Sequence, residues 1–357
     1  MSGNANGRKV IVAMSGGVDS AVAASMLIEA GYDVTGAFMC LGRAGGADTG
    51  SRGCCSPADA ADARLVADTL GIDLFVLDLG DAFAPLIADF ASEYASGRTP
   101  NPCIHCNTQI KFGRLLARAD SLGADYIATG HYARIVEFDG RSAIARAAAD
   151  GKDQSYALFG IPREILGRIL LPVGDIEDKT SVRDIARELG LVVHDKPDSQ
   201  EICFAPDDNY VSILESLAPQ ALTPGDIVDS SGAVLGRHDG YGRFTIGQRR
   251  GLRIAAGVPM YVTKIDPATA TVTIGPRDEV MSRRLKASRA NWHCEAPERF
   301  SATVQIRYNH SPRRAEVRLT GDDTFEAEFH EPVSAITPGQ AAVIYDGDRL
   351  LGGGWID

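Results

Sequence analysis

The chain has 357 residues, 45% hydrophobic and 23% charged, with a formal net charge of −11; that length predicts two or three domains, each able to bury its own core, in an ordinary soluble composition. The first residues, Met-Ser-Gly-Asn-Ala-Asn-Gly-Arg-Lys, hold no apolar signal region, and no apolar run approaches the length a bilayer span requires. Seven cysteines, an odd count without an export signal, argue against a disulfide framework and for reduced thiols in the cytoplasm.

The first element is a buried strand over Lys9–Met14, the apolar run Val10, Ile11, Val12, Ala13, Met14. Ser15-Gly16-Gly17-Val18-Asp19-Ser20 follows, and then a helix from Ala21 to Ala30, apolar at Val22, Met26 and Leu27 and ended by Gly31. Val34–Met39 reads as a second strand and residues 40–56, Gly-rich and aperiodic, as a mobile loop. Pro57 opens a helix that runs to about Leu70. Leu74–Leu79 and Asp125–Thr129 are a third and a fourth strand, the latter after a helix near Phe112–Leu122. Strands alternating with helices predict a doubly wound parallel α/β sheet, whose ligands bind at the carboxyl ends of the strands. Residues 160–220 read as a mainly helical extension, in which Thr180 caps a helix running to Gly190. From residue 222 the runs become short and β-rich, separated by Thr223-Pro224-Gly225-Asp226, Ser231-Gly232, Asp239-Gly240 and Asp346-Gly347. The expected domains are therefore 1–211, a small β-rich domain at 212–285, and a C-terminal β-barrel or sandwich at 286–357.

The Ser15–Ser20 run lies between a strand and a helix. Its glycines let backbone approach an anion, and the helix that follows offers unpaired N–H groups to phosphate. A Gly-rich β–α turn with a Ser cap is the plainer alternative, and no Gly-Lys-Ser/Thr follows to make it a Walker motif. Asp19 is an odd neighbour for phosphate unless Mg²⁺ intervenes or it orders the loop; it is read as a magnesium-linked residue. Met39 either packs on an adenine or belongs to the core. Gly130 after the fourth strand would let backbone approach a nucleotide, with His131 beside it. Thr99-Pro100-Asn101-Pro102-Cys103-Ile104-His105-Cys106-Asn107 places a C-x-x-C pair in a Pro-braced loop before a helix, a spacing suited to metal or redox chemistry. Asp198-Ser199-Gln200-Glu201-Ile202-Cys203-Phe204 carries one more cysteine. Cys54 and Cys55, adjacent in the Gly-rich loop, are read as non-catalytic, and Cys40 and Cys294 as packing residues. The basic groups Arg249, Arg250, Arg253 and Arg307, Arg313, Arg314 suit phosphate contacts or a solvated face.

The runs Ser15–Ser20, Arg98–Asn107, Ala128–Tyr132, Lys152–Tyr156, Ser199–Phe204, Thr245–Leu252 and Leu351–Gly354 occur in that order. Together they resemble the bacterial tRNA-specific 2-thiouridylases, members of the PP-loop ATP pyrophosphatases, over nearly the whole chain. The resemblance implies that MgATP adenylates O2 of the wobble uridine in tRNA of the Lys, Glu and Gln type, with sulfur supplied by a sulfur-relay protein or cysteine desulfurase. It implies an ATP site at Ala13, Met14, Ser15, Gly16, Gly17, Val18, Asp19, Ser20, Met39 and Gly130. Cys203 matches the cysteine that carries the persulfide, and Cys106 the nucleophile, which would form a disulfide with Cys203. Asn101, Pro102 and Cys103 would lie against the flipped uridine. His131, Lys152, Asp153, Gln154, Arg307, Tyr308 and Gln340 would meet tRNA, with Tyr308 as a stacking platform. Some members carry Asp where this chain has Cys103, which leaves open a [4Fe–4S] cluster on Cys103, Cys106 and Cys203. Two rivals share parts of the pattern. An amide-forming PP-loop ligase would need neither Cys106 nor Cys203, and a tRNA-binding module without catalysis would not need the intact loop.

Overall fold

Val10–Met14 are almost fully covered, as expected of a strand with neighbours on both sides. The computed structural model describes residues 7–40, 56–149, 151–197, 202–205 and 210–357. The loop expected at 40–56 falls almost wholly outside the described residues, as do Cys54, Cys55 and Asp198–Glu201. By contacts the chain divides into two units. One comprises residues 1–85, 103–208 and 348–350, the other residues 86–102, 209–347 and 351–357.

In the first unit β1 (Lys9–Met14) is central. It pairs in parallel with β2 (Asp33–Cys40) and β4 (Tyr126–Ala128); β3 (Leu74–Asp78) extends one side and β7 (Ile169–Leu170) the other. The order β3-β2-β1-β4-β7 reverses direction between β1 and β4, the position at which open parallel sheets bind ligands. Around the sheet lie α1 (Val18–Glu29), α2 (Pro57–Leu70), α3 (Gly80–Ala95, of which residues 80–85 belong to this unit), α4 (Pro102–His105), α5 (Leu115–Leu122) and α6 (Lys179–Glu188). Helix α1 starts at Val18, three residues earlier than its apolar pattern suggested, so the Gly-Gly run leads directly into its first turn.

Three sequence expectations change. The C-x-x-C pair does not precede a helix; it is inside one, because Pro102 takes the first helical position, where its missing N–H costs nothing. Helical geometry then runs without a break from α4 through π-helical turns at Cys106–Arg114 into α5. Asp178, not Thr180, caps α6: its carboxylate accepts from Ser181 N at 2.8 Å, leaving Thr180 within the first turn. The described residues of the stretch from 160 to 220 are mostly short 3₁₀ turns and irregular chain around α6 and α7 (Val211–Leu217). A hairpin absent from the sequence reading, β5 (Ala133–Phe138) and β6 (Arg141–Arg146), turns at Asp139-Gly140 with φ of 50° and 70°. That Asp-Gly pair was a readable hairpin signal.

The second unit is β-rich, as expected. Strands β8 (Gly225–Val228), β9 (Val234–His238), β10 (Tyr261–Asp266) and β11 (Thr271–Gly275) form a mixed sheet in the order β10-β11-β8-β9. Then β12 (Met281–Trp292), β13 (Arg299–Gln305), β14 (Arg313–Gly321), β15 (Thr324–Ser334), β16 (Ala341–Asp346) and β17 (Arg349–Ile356) run β12-β15-β14-β13-β16-β17. Pairing of β12 with β17 closes them into a barrel. Its interior is filled by alternating residues such as Val317, Phe325, Ala327, Phe329 and Ile344. Phe325 is fully buried and meets Trp292 edge to face at 5.6 Å. Phe325→Ala should therefore destabilise the barrel by about 3–5 kcal/mol, read as a lowered unfolding transition; an unchanged transition would show the barrel core to be elsewhere.

Candidate active site

The chain leaves β1 into a loop whose shape is set by two glycines and one hydroxyl. Gly16 has φ +72°, and a Cβ there would lie 2.3 Å from the carbonyl oxygen of Asp59 in α2, so only glycine fits on both counts. Ser20 is buried and turned back into the loop: its Oγ accepts from Ser15 N at 3.2 Å and donates to Gly17 O at 3.1 Å. Gly17 caps α1 with extended backbone and no side-chain bond, so the first-turn N–H groups gain no acceptor from their own cap. Thus Ser20, expected among the phosphate donors, shapes the loop, while the helix N-terminus keeps the donors that suit an anion.

Asp19, read as magnesium-linked, is engaged by two side chains of the protein. Its Oδ1 accepts from the Tyr132 hydroxyl at 2.7 Å and is ion-paired with Lys179 at the start of α6. The Lys179 ammonium also sits 5.4 Å from the centre of the Tyr132 ring. Gly130 has a tight constraint of a different kind from the one expected. A Cβ there would stand 2.6 Å from the Asp19 carbonyl carbon and the Ser20 nitrogen, so this glycine lets the turn after β4 press on the first turn of α1. Met14, at the end of β1, is fully buried core.

A second cation braces the loop from outside. Lys196 Nζ donates to Gly16 O at 2.8 Å, Asp59 Oδ1 at 2.6 Å and Asp62 Oδ2 at 2.6 Å. Partial burial lowers its pKa, but the bonds and charges of Asp59 and Asp62 outweigh that and raise it above the ordinary lysine value. Asp59 is itself set by the cap of α2, where Ser56 Oγ accepts from Asp59 N at 3.0 Å.

The cysteines differ in surroundings. Cys103 is exposed on α4, Cys106 is buried at the first π-helical position, and Cys203 is half-buried. Cys203 lies on a turn closed by Ala205 N donating to Ile202 O at 2.9 Å, and the neighbouring Phe204 ring meets Phe83 edge to face at 5.5 Å. Asn107, beside Cys106, is buried and donates from Nδ2 to Ala157 O at 3.0 Å, fixing the π segment to the 155–158 turn; among the described residues no partner is found for its Oδ1. No disulfide joins the described cysteines. Among the described residues, Cys103, Cys106 and Cys203 included, no three His, Cys, Asp or Glu side chains are close enough to hold a metal ion.

The turn after β4 is held internally. Gln154 Oε1 accepts from Tyr132 N at 2.9 Å, and Gln154 N donates to Tyr132 O at 2.7 Å. Asp153 accepts from Arg146 Nη1, Ala147 N, Ser155 N and Ser155 Oγ at 2.7–3.1 Å, which engages both carboxylate oxygens. Lys152, next in the chain, is half-buried. The His131 ring lies 5.7 Å from Phe112, and its Nδ1 is 2.7 Å from Thr129 Oγ1. Some of its edge stays accessible, yet burial first, and the Lys111 charge second, push its pKa well below the ordinary 6.5.

Three residues expected to meet RNA lie in the second unit. Arg307 Nη2 donates to Ile246 O at 2.7 Å and also bonds Thr337 Oγ1, so this guanidinium ties β-rich segments together. Gln340 Nε2 donates to Thr99 O at 2.9 Å and Pro100 O at 3.2 Å, fixing the approach to Asn101 and Pro102. Tyr308 stays 43% exposed, as a stacking platform requires.

Residues 8–207 match the family model described as the tRNA methyl transferase HUP domain, 212–276 the tRNA methyl transferase PRC-barrel domain, and 282–356 the aminomethyltransferase beta-barrel domain. A protein of Carboxydothermus hydrogenoformans named tRNA-specific 2-thiouridylase MnmA is 49% identical, across 98% of this chain and 98% of that protein. The chain belongs to the tRNA-specific 2-thiouridylase family. Two further 2-thiouridylases, from Lachnoclostridium phytofermentans and Rhodopirellula baltica, are 46% and 44% identical, each across 98% of this chain and 99% and 96% of their own lengths.

In this 2-thiouridylase-family chain, sequence reasoning missed Asp59, Asp62, Tyr132, Lys179 and Lys196. Each acts on the loop from another element, and a lone Lys or Asp carries no local signal of such a role. His131 gives a direct test of the electrostatics. Its pKa is depressed in the folded chain, so below about pH 6.5 the unfolded state takes up a proton that the folded state refuses, and stability falls. Wild type should lose more thermal stability than His131→Gln between about pH 7.5 and about pH 5.5. Equal losses would show that the ring titrates normally.

Proposed function

We propose that the chain is a cytoplasmic, ATP-dependent tRNA-uridine 2-sulfurtransferase acting on the wobble uridine. The observation that carries this reading is one pairing within the first unit. A Gly16–Gly17 loop with an uncapped helix N-terminus stands at the strand-order reversal, and a buried and a half-buried cysteine, Cys106 and Cys203, occupy the same unit. Near-full-length identity to 2-thiouridylases supports the substrate.

The uridine carbonyl is a poor site for substitution because oxide is a poor leaving group. Attack of uridine O2 on the α-phosphorus of MgATP releases pyrophosphate and turns that oxygen into part of AMP. The N-terminal donors of α1 suit the phosphates, and Mg²⁺ comes as part of the nucleotide substrate, since Asp19 is already engaged by Lys179 and Tyr132. Cys203 receives a persulfide sulfur from a relay protein or cysteine desulfurase. In one route the Cys106 thiolate attacks that persulfide, forming a Cys106–Cys203 disulfide and freeing hydrosulfide, which adds to C2 and expels AMP. In the other the outer persulfide sulfur adds to C2 and AMP is expelled, and the Cys106 thiolate then attacks the Cys203 sulfur, breaking the S–S bond to leave 2-thiouridine and the same disulfide. Either route consumes two electrons from two external thiols, or one dithiol, to restore both cysteines.

On the RNA side, a chain of net charge −11 needs a local basic face, which Arg249, Arg250 and Arg253 and Arg313 and Arg314 can supply. Tyr308 offers a stacking surface, and Asn101, Pro102 and Cys103 line the expected place of the flipped base. His131 and Lys152 complete the expected contacts. Arg307, Gln340, Asp153 and Gln154 would serve them mainly by holding backbone in place.

The test is 2-thiouridine formation from tRNA, MgATP and a persulfide donor without added iron, read by nucleoside mass spectrometry. Cys106→Ser and Cys203→Ser should each form none, whereas Cys103→Ser should keep substantial activity. Full activity of either of the first two would overturn the sulfur route. Loss in all three, with iron bound anaerobically to wild type alone, would replace it by a cluster.

A further inference from the structure

We infer that Thr129 is a positioning residue that holds His131 in one tautomer, with the proton on Nε2, so that the ring meets the target nucleotide as a hydrogen-bond donor and not as a base. The inference rests on the reading of His131 as a contact of the wobble nucleotide. The two residues leave β4 beside the strand-order reversal, and their backbone is held from both sides. Thr129 N donates to Leu170 O of β7 at 3.3 Å, and Ala133 N donates to His131 O at 3.0 Å. The ring is held as well. Its Nδ1 lies 2.7 Å from Thr129 Oγ1, and the fully buried Phe112 ring stands 5.7 Å away at an interplanar angle of 35°.

The count of protons decides the tautomer. Thr129 is 3% exposed, so its hydroxyl must find its partners within the protein. Among the described residues that hydroxyl has two neighbours in bonding range, the His131 N–H at 3.4 Å and His131 Nδ1 at 2.7 Å. A backbone N–H can only donate, so Oγ1 accepts there. The hydroxyl proton then has one acceptor left, Nδ1, which accepts only if it carries no proton of its own. A proton on Nδ1 would instead give Oγ1 two donors and leave the hydroxyl proton buried without a partner. The ring proton therefore sits on Nε2, on the edge opposite the one Thr129 covers, and the ring keeps some accessible surface there for a ligand. Burial and the Lys111 charge keep the ring neutral, so no second proton joins the first. A neutral ring whose Nδ1 is already engaged has no lone pair for a substrate proton, and its Nε2–H bonds only to an acceptor. The acceptors of a uridine nucleotide are all oxygens, on base, sugar and phosphate.

Two sets of measurements on the full chain test this. The first needs no substrate: long-range ¹H–¹⁵N correlation spectra of histidine-labelled protein at about pH 8, above the ordinary histidine range, with the His131 signals identified by their absence in His131→Gln. Wild type and Thr129→Ser should show Nε2 protonated and Nδ1 bare. Thr129→Val, which removes the hydroxyl and keeps the shape, should show a mixture or the other tautomer. The second set is 2-thiouridine formation as tRNA is varied. Thr129→Val should raise KM for tRNA about tenfold, the loss of one donated hydrogen bond, with KM for ATP unchanged, and Thr129→Ser should restore it. His131→Gln, whose amide can donate where Nε2–H stood but cannot act as a base, should turn over about tenfold faster than His131→Leu. Binding of tRNA with cytidine at the wobble position locates the acceptor: a loss in Thr129→Val confined to the uridine form places it at O4, and an equal loss places it at an oxygen the two nucleotides share. A merely structural Thr129 would lower thermal stability in Thr129→Val without moving the nitrogen signals or the KM for tRNA, and that result overturns the inference. So does a protonated Nδ1 in wild type, or a His131→Gln no faster than His131→Leu, and each leaves the sulfurtransferase reading standing. Should Thr129→Val not fold, the wild-type spectrum and the His131 pair decide. A wild type with the expected tautomer that forms no 2-thiouridine overturns the reading on which the inference rests.

Discussion

The backbone reversal at Gly16 is the constraint on which the first unit depends. Glycine takes this left-handed conformation without a Cβ clash, and several neighbours close around it. Asp59 O closes on it from α2, Ser20 Oγ bonds across it from α1, and Lys196 holds its carbonyl. The turn after β4 fits against the other side through Gly130, and Tyr132 and Lys179 fix Asp19. Elements far apart in sequence thus converge on a few backbone atoms. The result is a loop with preset donors, so an arriving anion need not organise them, which is the physical content of preorganised electrostatics.

The parts of the fold legible in sequence were those encoded by continuous local pattern. Val10–Met14 announced a central strand by being apolar throughout, Pro57 with Gly71 bracketed α2, and the turn-rich texture after residue 222 announced β structure. The Asp139-Gly140 hairpin was equally readable and was missed. Pro102 misled, because the same residue that braces a loop also begins a helix, and only the surrounding packing decides. Asp178 and Thr180 are both capping residues two positions apart, and the choice depends on which carboxylate or hydroxyl reaches the Ser181 N–H.

The expected site residues stand out in the sequence; the side chains that support them do not. Ser15–Ser20, Cys106 and Cys203 stand in runs distinctive enough to be noticed. The ion pairs that hold those runs link residues such as Asp19 and Lys179, or Asp59 and Lys196, whose partnership exists only after folding. Asp153, Gln154, Arg307 and Gln340, expected to meet tRNA, also make hydrogen bonds within the chain that no sequence pattern announces.

The π-helical run from Cys106 to Arg114 closes its hydrogen-bonded rings over five residues instead of four. Such a stretch takes up extra chain within an unbroken helix, so it acts as slack between two fixed ends. Leu115–Leu122 can keep its apolar face on the sheet while the α4 end keeps an angular setting of its own. Over evolutionary time that separates two kinds of inheritance. Gain or loss of a residue in the run would change how the cysteine end is rotated without forcing the buried face of α5 to be rebuilt. Reactive groups and packed groups on one continuous helix can then diverge at different rates.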